Sequence, residues 1–404
     1  MSRFKFTVGL AAMAAATLTL AACAGGAGST ADSGGPADSP VKVVVFGGLG
    51  AEGILQNNAT TSVTAAKASV AAVNALGGVL GRDVELTVID DTADPTVAVT
   101  RLRELLASDS RPDVVMNSGP STVSEAIIPI LSQEKILSFN IGPTATTGDP
   151  SVSPYNFDLS PSAADYVGSF VDEIKTQKYK KVAVLHGSSA YGELFGGLAA
   201  SKSEEAGLTV TGNQVYDVAS LDMTPQLEAL KEQKPDVLVL DAYGAPLGYV
   251  LQGIERLGWD IPILGNTSVS ATGLIATEAP AGVLGTDQVK NLTMQVFKST
   301  KFNADDAAVN DAVKLMVSSG EIKSSLILAY NYDAMLLVRA AAEKAGSLDA
   351  EALATAMIDP AVQKSANTVM LGLYSFTDKA HSPHVGPEQY LFIAPGPLVN
   401  GQYQ

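Results

Sequence analysis

The chain has 404 residues, a formal net charge of −16 at pH 7 and a single cysteine. This length allows two domains with sizeable hydrophobic cores. The acidic composition argues against a nucleic-acid-binding protein, which needs a basic surface. The lone cysteine, Cys23, excludes an intramolecular disulfide framework and a cysteine metal cluster.

The first 22 residues have the composition of an export signal. Arg3 and Lys5 form a short basic region, and the apolar run at 8–20 is too short for an ordinary membrane span. Residues 20–23, Leu-Ala-Ala-Cys, resemble the lipoprotein box of bacterial signal peptides. We therefore predict cleavage before Cys23 and lipidation of that residue, which would hold the chain stably at a membrane surface. An ordinary secretory signal with an incidental cysteine is the alternative.

Residues 24–40 are rich in glycine, alanine and serine, a composition typical of a flexible tether. No later segment is apolar over a length that spans a membrane. We expect a signal peptide at 1–22, a lipidated cysteine and linker at 23–40, and a soluble domain outside the cytoplasm from Val41 onward.

From Val41 onward, short apolar segments alternate with helical segments, and the alternation starts again after residue 180. Alternation at these lengths indicates parallel, doubly wound sheets. The predicted fold class is therefore α/β, with two doubly wound α/β lobes and a ligand cleft between them. The predicted strands include 41–46, 84–89, 114–117, 136–141, 181–186, 208–210, 236–241, 370–376 and 390–393.

Two turns between residues 114 and 147 share the sequence Gly-Pro followed by hydroxyl residues. Residues 119–121 are Gly-Pro-Ser and residues 142–144 are Gly-Pro-Thr, each after a predicted strand. Such turns lie at the carboxyl ends of parallel strands, where open α/β sheets bind ligands. Pro120 suits a helix start, and Thr122 with Glu125 fits a capping box. Free N–H groups and hydroxyls here favour a carboxylate or phosphate site; the alternative is that the hydroxyls only cap helices.

A glycine-rich turn follows the first predicted strand. Gly48, Gly50 and Gly53 match the G-x-G-x-x-G fingerprint of dinucleotide-binding proteins. That site also requires an acidic residue about 20 positions later. No acid lies between Glu52 and Asp83. We therefore interpret the turn as a flexible segment over a cleft, and we predict no cofactor.

Several segments resemble one known family, the branched-chain amino-acid-binding (Leu/Ile/Val-binding) family of extracytoplasmic solute-binding proteins. Residues 71–82, Ala-Ala-Val-Asn-Ala-Leu-Gly-Gly-Val-Leu-Gly-Arg, and 90–95, Asp-Asp-Thr-Ala-Asp-Pro, are similar to the opening of that family. Further matches occur at 141–146, 189–192 and 329–334. The resemblance covers nearly the whole chain after the signal. It implies the type I periplasmic binding protein fold, with three crossovers between the lobes.

The resemblance also implies lobe boundaries, partners and location. We expect the first lobe at 41–160 and 289–374, and the second lobe at 161–288 and 375–404. The expected ligand is a small carboxylate, in the first place a hydrophobic or branched-chain amino acid, which is passed to the permease and ATPase subunits of an ABC importer. The expected protein is a monomer outside the cytoplasm, tied to the membrane by its lipid anchor and without a nucleic-acid partner.

The family's ligand residues fall on this chain unevenly. The hydroxyl that takes the ligand carboxylate falls on Ser121. Its backbone and hydroxyl partners fall on Gly142 and Thr144. The two cleft aromatics of the second lobe fall on Tyr191 and Tyr243.

Two family positions carry different chemistry here. The acidic residue for the ligand ammonium falls near Thr267, and residues 56–58, Gln-Asn-Asn, stand where the first-lobe aromatic is expected. An ammonium that leaves water needs an anionic or strongly dipolar partner. Either Asp241 supplies that carboxylate, or the ligand has no ammonium and is another small carboxylate, such as an aromatic acid, or an amide. A turn-capping role for Asp241 and packing roles for the two tyrosines are the alternatives.

Two other functional classes fit the sequence less well. An enzyme is not indicated, because the chain has no G-x-S-x-G nucleophile elbow and only three histidines, His186, His381 and His384. The His-Ser-Pro-His segment at 381–384 lacks an acidic or cysteine partner at metal spacing, so we predict no metal site. A receptor subunit that senses a ligand stays open as an alternative, since a fold does not fix a function.

Overall fold

The computed structural model describes residues 39–404. The predicted signal peptide, Cys23 and the linker up to residue 38 lie outside these described residues. Arg82 donates from Nε to the Ser39 carbonyl at 2.6 Å and holds the end of the predicted linker against the first lobe. No helix in residues 39–404 is long and apolar enough to cross a membrane.

A five-stranded sheet forms the centre of the first lobe. Its elements are β1 (Val41–Gly47), α1 (Ile54–Ala75), β2 (Val84–Asp90), α2 (Pro95–Leu106), β3 (Val114–Asn117), α3 (Ser121–Gln133), β4 (Leu137–Asn140) and β5 (Asn156–Asp158). The strand order is β2-β1-β3-β4-β5, and all neighbours are parallel. Val43 and Val45 pack with α1, whereas Val44 and Phe46 pack with α2 and α3. Helices therefore cover both faces, which explains why the strands are continuous apolar runs.

A second sheet forms the centre of the second lobe. Its elements are α4 (Ala163–Thr176), β6 (Lys181–Gly187), α5 (Ala190–Glu205), β7 (Thr209–Tyr216), α6 (Thr224–Glu232), β8 (Val237–Leu240), α7 (Ala245–Arg256), β9 (Ile263–Gly265), α8 (Thr267–Ala271) and β10 (Leu292–Phe297). Strands β7, β6, β8, β9 and β10 are parallel neighbours in this order. The predicted restart of the α/β pattern is thus a separate sheet.

The C-terminal part of the chain serves both lobes. Its elements are α9 (Ala307–Ser319), α10 (Asn331–Ala345), α11 (Ala350–Met357), α12 (Pro360–Ser365), β11 (Tyr390–Ile393), β12 (Leu398–Val399) and β13 (Gln402–Tyr403). Helices α9 and α10 pack on α1 of the first lobe. Strand β11 adds to the second sheet as the antiparallel partner of β10. Strands β12 and β13 form a short antiparallel pair.

The structure corrects the predicted lobe boundaries at residues 289 and 375. Strand β10 pairs with β9, Leu292 beside Ile263, and so belongs to the second lobe. The chain returns to the first lobe only after Phe297. Conversely, Phe376 and His381 pack against Phe157 of the first lobe, with ring centroids 4.9 and 4.0 Å away. Sheet pairing and ring packing between distant segments decide these boundaries, and neither has a local sequence pattern.

Two local predictions also differ from the structure. Helix α3 begins at Ser121 after Pro120, without a side-chain cap, so Thr122 lies inside the helix and forms no capping box. The predicted strand at 370–376 is not formed. There the backbone N–H groups of Val369 and Met370 donate to the buried Asp333 carboxylate, at 2.7 and 2.9 Å. Donors held by a carboxylate are not available for a strand ladder.

Candidate ligand-binding site

Two neighbouring strand ends bring both Gly-Pro turns of the first lobe together. Strands β3 and β4 are parallel neighbours, with Asn117 beside Asn140. A Cβ atom on Gly142 would lie 2.8 Å from the backbone nitrogen of Ser121. Glycine at this position therefore allows the second turn to approach the start of α3. Asn117 accepts the Gly119 N–H through Oδ1 at 2.9 Å and fixes the first turn.

Ser121 is a point of contact between the two lobes. Its Oγ atom accepts a hydrogen bond from the backbone N–H of Tyr191, at the start of α5, over 3.1 Å. Both residues are buried, with 5% and 9% of their surface exposed. The start of α3 has no side-chain cap, so its first N–H groups lack a side-chain acceptor. An acceptor from outside the helix can therefore add to this contact.

Thr144 is also buried, but its polar groups are engaged within the turn. The Thr144 N–H donates to Thr147 Oγ1 at 2.9 Å. The Thr144 hydroxyl accepts the Thr146 N–H at 3.2 Å. Thr144 also lines one end of a groove of about 1100 Å³ between α4, α5 and the segment at 379–390. That groove does not include Ser121, and we place the candidate site at the contact between the strand ends instead.

Three strand ends of the second lobe meet at Asp241. Asp241 Oδ1 accepts from Asn266 Nδ2 at 2.7 Å, and Oδ2 accepts the Gly187 N–H at 3.4 Å. Burial raises the pKa of the Asp241 carboxyl, and the bond from Asn266 is the largest effect that opposes this rise. A Cβ on Gly192 would lie 2.9 Å from Asp241 Oδ2. Glycine therefore lets α5 begin directly above the carboxylate.

Thr267 and Tyr191 are neighbours of this cluster. Asn266 caps α8, and its Oδ1 accepts the Ser268 N–H at 3.1 Å, so Asp241 indirectly positions Thr267. Burial raises the pKa of Tyr191 well above 10, and the neighbouring Thr267 hydroxyl opposes the rise. Within the described residues the Tyr191 hydroxyl has no hydrogen-bond partner. Its ring packs on Phe195, with the ring centroids 6.0 Å apart.

Tyr243 lies where its lobe meets helix α1 of the first lobe. Burial raises the pKa of Tyr243 to about 12, and the Asn58 side chain opposes the rise. In the next residue, Gly244, a Cβ would lie 3.7 Å from Leu55. The two predicted cleft tyrosines thus belong to different contacts, Tyr191 with Ser121 and Tyr243 with the start of α1.

Comparison with known proteins identifies the architecture. Residues 40–386 match the model of a family described as periplasmic binding protein. The chain belongs to the periplasmic binding protein family. This confirms the predicted family and the two-lobed α/β fold.

This periplasmic binding protein is similar to several named proteins and solved structures. A Leu/Ile/Val-binding protein of Rhizobium johnstonii is 26% identical over 302 residues, which cover 73% of this chain and 77% of that protein. An extracellular ligand-binding receptor from Rhodopseudomonas palustris HaA2 superposes with a TM-score of 0.74 at 19% identity, over 91% of this chain and 99% of that chain. A solute binding protein of an ABC transporter from Rhodopseudomonas palustris BisB5, in complex with 3,4-dihydroxybenzoic acid, gives 0.63 at 20% identity, over 78% and 84%.

The family fixes the general role of this periplasmic binding protein. It is an extracytoplasmic substrate-binding protein and not an enzyme. Its three histidines have structural partners: His186 contacts the Gly187 carbonyl, His381 contacts the Asn156 carbonyl, and His384 pairs with Asp165. Within residues 39–404 no group of three or more His, Cys, Asp or Glu side chains is placed to hold a metal ion.

The glycine-rich turn of this periplasmic binding protein packs within its own lobe. The Gly50 N–H donates to Asp90 Oδ1 at 2.9 Å, and a Cβ on Gly48 would lie 2.7 Å from Ala93. Asp90 is the last residue of β2, the neighbour of β1 in the sheet, and Ala93 lies in the turn that follows. A carboxylate at this turn disfavours a phosphate group, so the turn holds two neighbouring strand ends together.

Residues 56–58 stand at the expected position of the first-lobe aromatic, but Asn58 was not selected from the sequence as a site residue. Asn58 is 2% exposed, and neither of its amide atoms has a hydrogen-bond partner within the described residues. The available signal was the polar run at 56–58 at the start of a helix. The spacing of Asn58 from Ser62 and Ser69 places it on the buried face of α1.

Proposed function

We propose that this periplasmic binding protein is the solute-binding component of an ATP-driven importer and captures a small carboxylate by closure of its two lobes. The contact between Ser121 and Tyr191 carries the proposal, because it joins the lobes at a hydroxyl and an uncapped helix start. A ligand carboxylate placed here would accept bonds from the Ser121 hydroxyl, the first N–H groups of α3 and the Tyr191 N–H. Ligand contacts with both lobes would stabilise the closed form.

The first ligand class that we propose is a hydrophobic amino acid. The name of the Leu/Ile/Val-binding relative from Rhizobium johnstonii supports this class. The ligand ammonium then needs an anionic partner. Asp241 is a candidate, because its charge acts on Tyr191 and its partner Asn266 directly precedes Thr267. Each of its oxygens has one donor from the protein, and a carboxylate oxygen can accept a second bond.

A second class, an aromatic or other organic acid or a short amide, has its own supporting observation. Asp241 is buried and already binds Asn266 and Gly187, and Thr267 carries no charge. A ligand without an ammonium brings no positive charge into this site, so no buried ammonium is left without a partner. The neighbour in complex with 3,4-dihydroxybenzoic acid has the same fold and supports this class as well. In either class, lipidation at Cys23 would keep the protein beside its permease.

A thermal-shift panel tests the proposal. The purified protein, washed free of co-purified ligand, is mixed separately with amino acids, aromatic acids, short amides and sugars. A ligand at a hundred times its dissociation constant adds about 2.7 kcal/mol to the stability. We expect a shift with carboxylates and none with sugars. Ser121→Ala should lose the shift, whereas Ser132→Ala, near the other end of α3, should keep it. A shift with sugars alone, or an unchanged shift in Ser121→Ala, contradicts the proposal.

A further inference from the structure

Helix α1 attaches to the C-terminal part of the first lobe through buried hydroxyl groups. Thr61 Oγ1 accepts the Ser324 N–H at 2.9 Å, and Thr64 Oγ1 donates to the Glu321 carbonyl at 2.9 Å. Further along the helix, Ser62 Oγ accepts from Asn331 Nδ2 at 3.0 Å and Ser69 Oγ accepts the Met335 N–H at 3.1 Å. Every buried hydroxyl of α1 therefore has a protein partner.

Asn58 is the exception on this buried face. Its Nδ2 and Oδ1 atoms are both buried and both lack a partner within the described residues. Buried polar atoms in native proteins are nearly always hydrogen-bonded, and each exception requires an explanation. An amide with an unused donor and an unused acceptor points to a ligand group that supplies both partners.

The surroundings of Asn58 place it at the candidate site. Its side chain lies near the Tyr243 hydroxyl of the second lobe and lowers the pKa of that hydroxyl, but it forms no hydrogen bond of 3.5 Å or less with it. Ser62 follows one helical turn later. Asn331 links Ser62 to Ser118 with bonds of 3.0 and 2.7 Å, and Ser118 is three residues before Ser121. Asn58 therefore lies on α1 one helical turn before Ser62, on the side of the first sheet where Ser118 and Ser121 also lie.

We propose that Asn58 is a specificity-determining residue that binds an uncharged hydroxyl or carboxamide group on the part of the ligand away from its carboxylate. The inference rests on the proposed function. In both proposed ligand classes it selects the members that carry such a hydroxyl or carboxamide group. A hydroxyl satisfies one amide atom and a carboxamide satisfies both. An aliphatic ligand of the same shape leaves both atoms unpaired in a closed cleft, which costs affinity.

Matched ligand pairs test this inference with the unmodified protein. Calorimetric titration compares threonine with valine, and 3-hydroxybenzoate with 3-methylbenzoate; each pair exchanges a hydroxyl for a methyl group. We expect the hydroxyl member of the bound class to bind about tenfold to a hundredfold more tightly. Equal affinities, or tighter binding of the methyl member, overturn the inference and leave the proposed function standing. Binding of no carboxylate at all contradicts the proposed function itself.

Two variants separate recognition by Asn58 from a general effect on the fold. Asn58→Leu removes both polar atoms at similar volume, and we expect it to abolish or reverse the preference for the hydroxyl member. Asn57→Leu makes the same change at the half-buried neighbouring position and should keep the preference. An Asn58→Leu protein that retains the full preference contradicts the inference.

Discussion

Asn266 donates from Nδ2 to Asp241 Oδ1 at 2.7 Å and joins the ends of two neighbouring strands, β8 and β9. The same asparagine caps α8, at whose first position Thr267 stands. The carboxylate therefore determines where Thr267 lies, whether or not it also contacts the ligand.

Replacement of this carboxylate separates the two proposed ligand classes. With an ammonium paired to Asp241, Asp241→Asn should weaken the binding of hydrophobic amino acids at least about tenfold, because a hydrogen-bonded buried charge pair loses one partner. Binding of an aromatic acid should change much less. Calorimetric titration of both ligand classes measures the difference. An equal loss for both classes would show that Asp241 only positions Asn266 and Thr267.

Gly192 should tolerate no side chain. A Cβ there would lie 2.2 Å from the Gly187 carbonyl oxygen and 2.9 Å from Asp241 Oδ2. We expect Gly192→Ala to lower the free energy of unfolding by about 1–3 kcal/mol, since overpacking forces the backbone apart. It should also weaken ligand binding, because Tyr191 is the preceding residue. Urea unfolding measures the stability.

A control for this substitution lies on the same helix. At Gly197 an added Cβ would meet nothing within 4 Å. Gly197→Ala should therefore be neutral or stabilise the protein by up to about 1 kcal/mol, because alanine favours a helix over glycine. A Gly192→Ala protein as stable as Gly197→Ala contradicts the close approach of α5 to Asp241.

Two buried tyrosine hydroxyls should respond differently to removal. The Tyr374 hydroxyl donates to Asp333 Oδ2 at 2.9 Å, whereas the Tyr191 hydroxyl has no partner within the described residues. Tyr374→Phe should destabilise the protein by about 1.5–3 kcal/mol, the range for a hydrogen bond to a charged group. Tyr191→Phe should leave the stability of the unliganded protein nearly unchanged. Thermal unfolding of both variants checks this order, and a reversed order contradicts it.

Stability should depend on pH through buried carboxyls, among them Asp91, Asp158 and Asp333, each with its pKa raised to about 6. Burial is the main cause of each rise from the usual value of 3.8. The folded state then binds protons more tightly than the unfolded state, so the free energy of unfolding falls as the pH rises from about 4 to about 6. Each group accounts for up to about 3 kcal/mol of this fall in the free energy of unfolding, since one pKa unit equals about 1.4 kcal/mol. Urea unfolding across this pH range measures the slope.

An exposed aspartate gives a control of opposite sign. The Ser151 hydroxyl beside Asp149 holds the pKa of that carboxyl below its usual value. Asp158→Asn should flatten the fall in stability with pH, whereas Asp149→Asn should leave it unchanged or slightly steeper. A flat profile in the unmodified protein would contradict the raised pKa values.

The sequence was sufficient for the features that depend on neighbouring residues. Alternating apolar strands and helices predicted both sheets, and the Gly-Pro turns predicted two adjacent strand ends, because parallel strands end at a common edge. Features that depend on distant residues were not predictable. The position of β10 depends on pairing with Ile263, and the missing strand at 370–376 depends on the Asp333 carboxylate. The unpaired amide of Asn58 is visible only after α1 packs against the second lobe.

The last crossing between the lobes is tied to both of them within three residues. Ser382 donates to Asp158 of the first lobe, and His384 pairs with Asp165 at the start of α4 in the second lobe. Pro383 lies between these two anchors, and the proline ring fixes its φ angle. This connection is therefore short and conformationally restricted. An opening of the cleft at this connection would have to keep both anchors in place or break one of them.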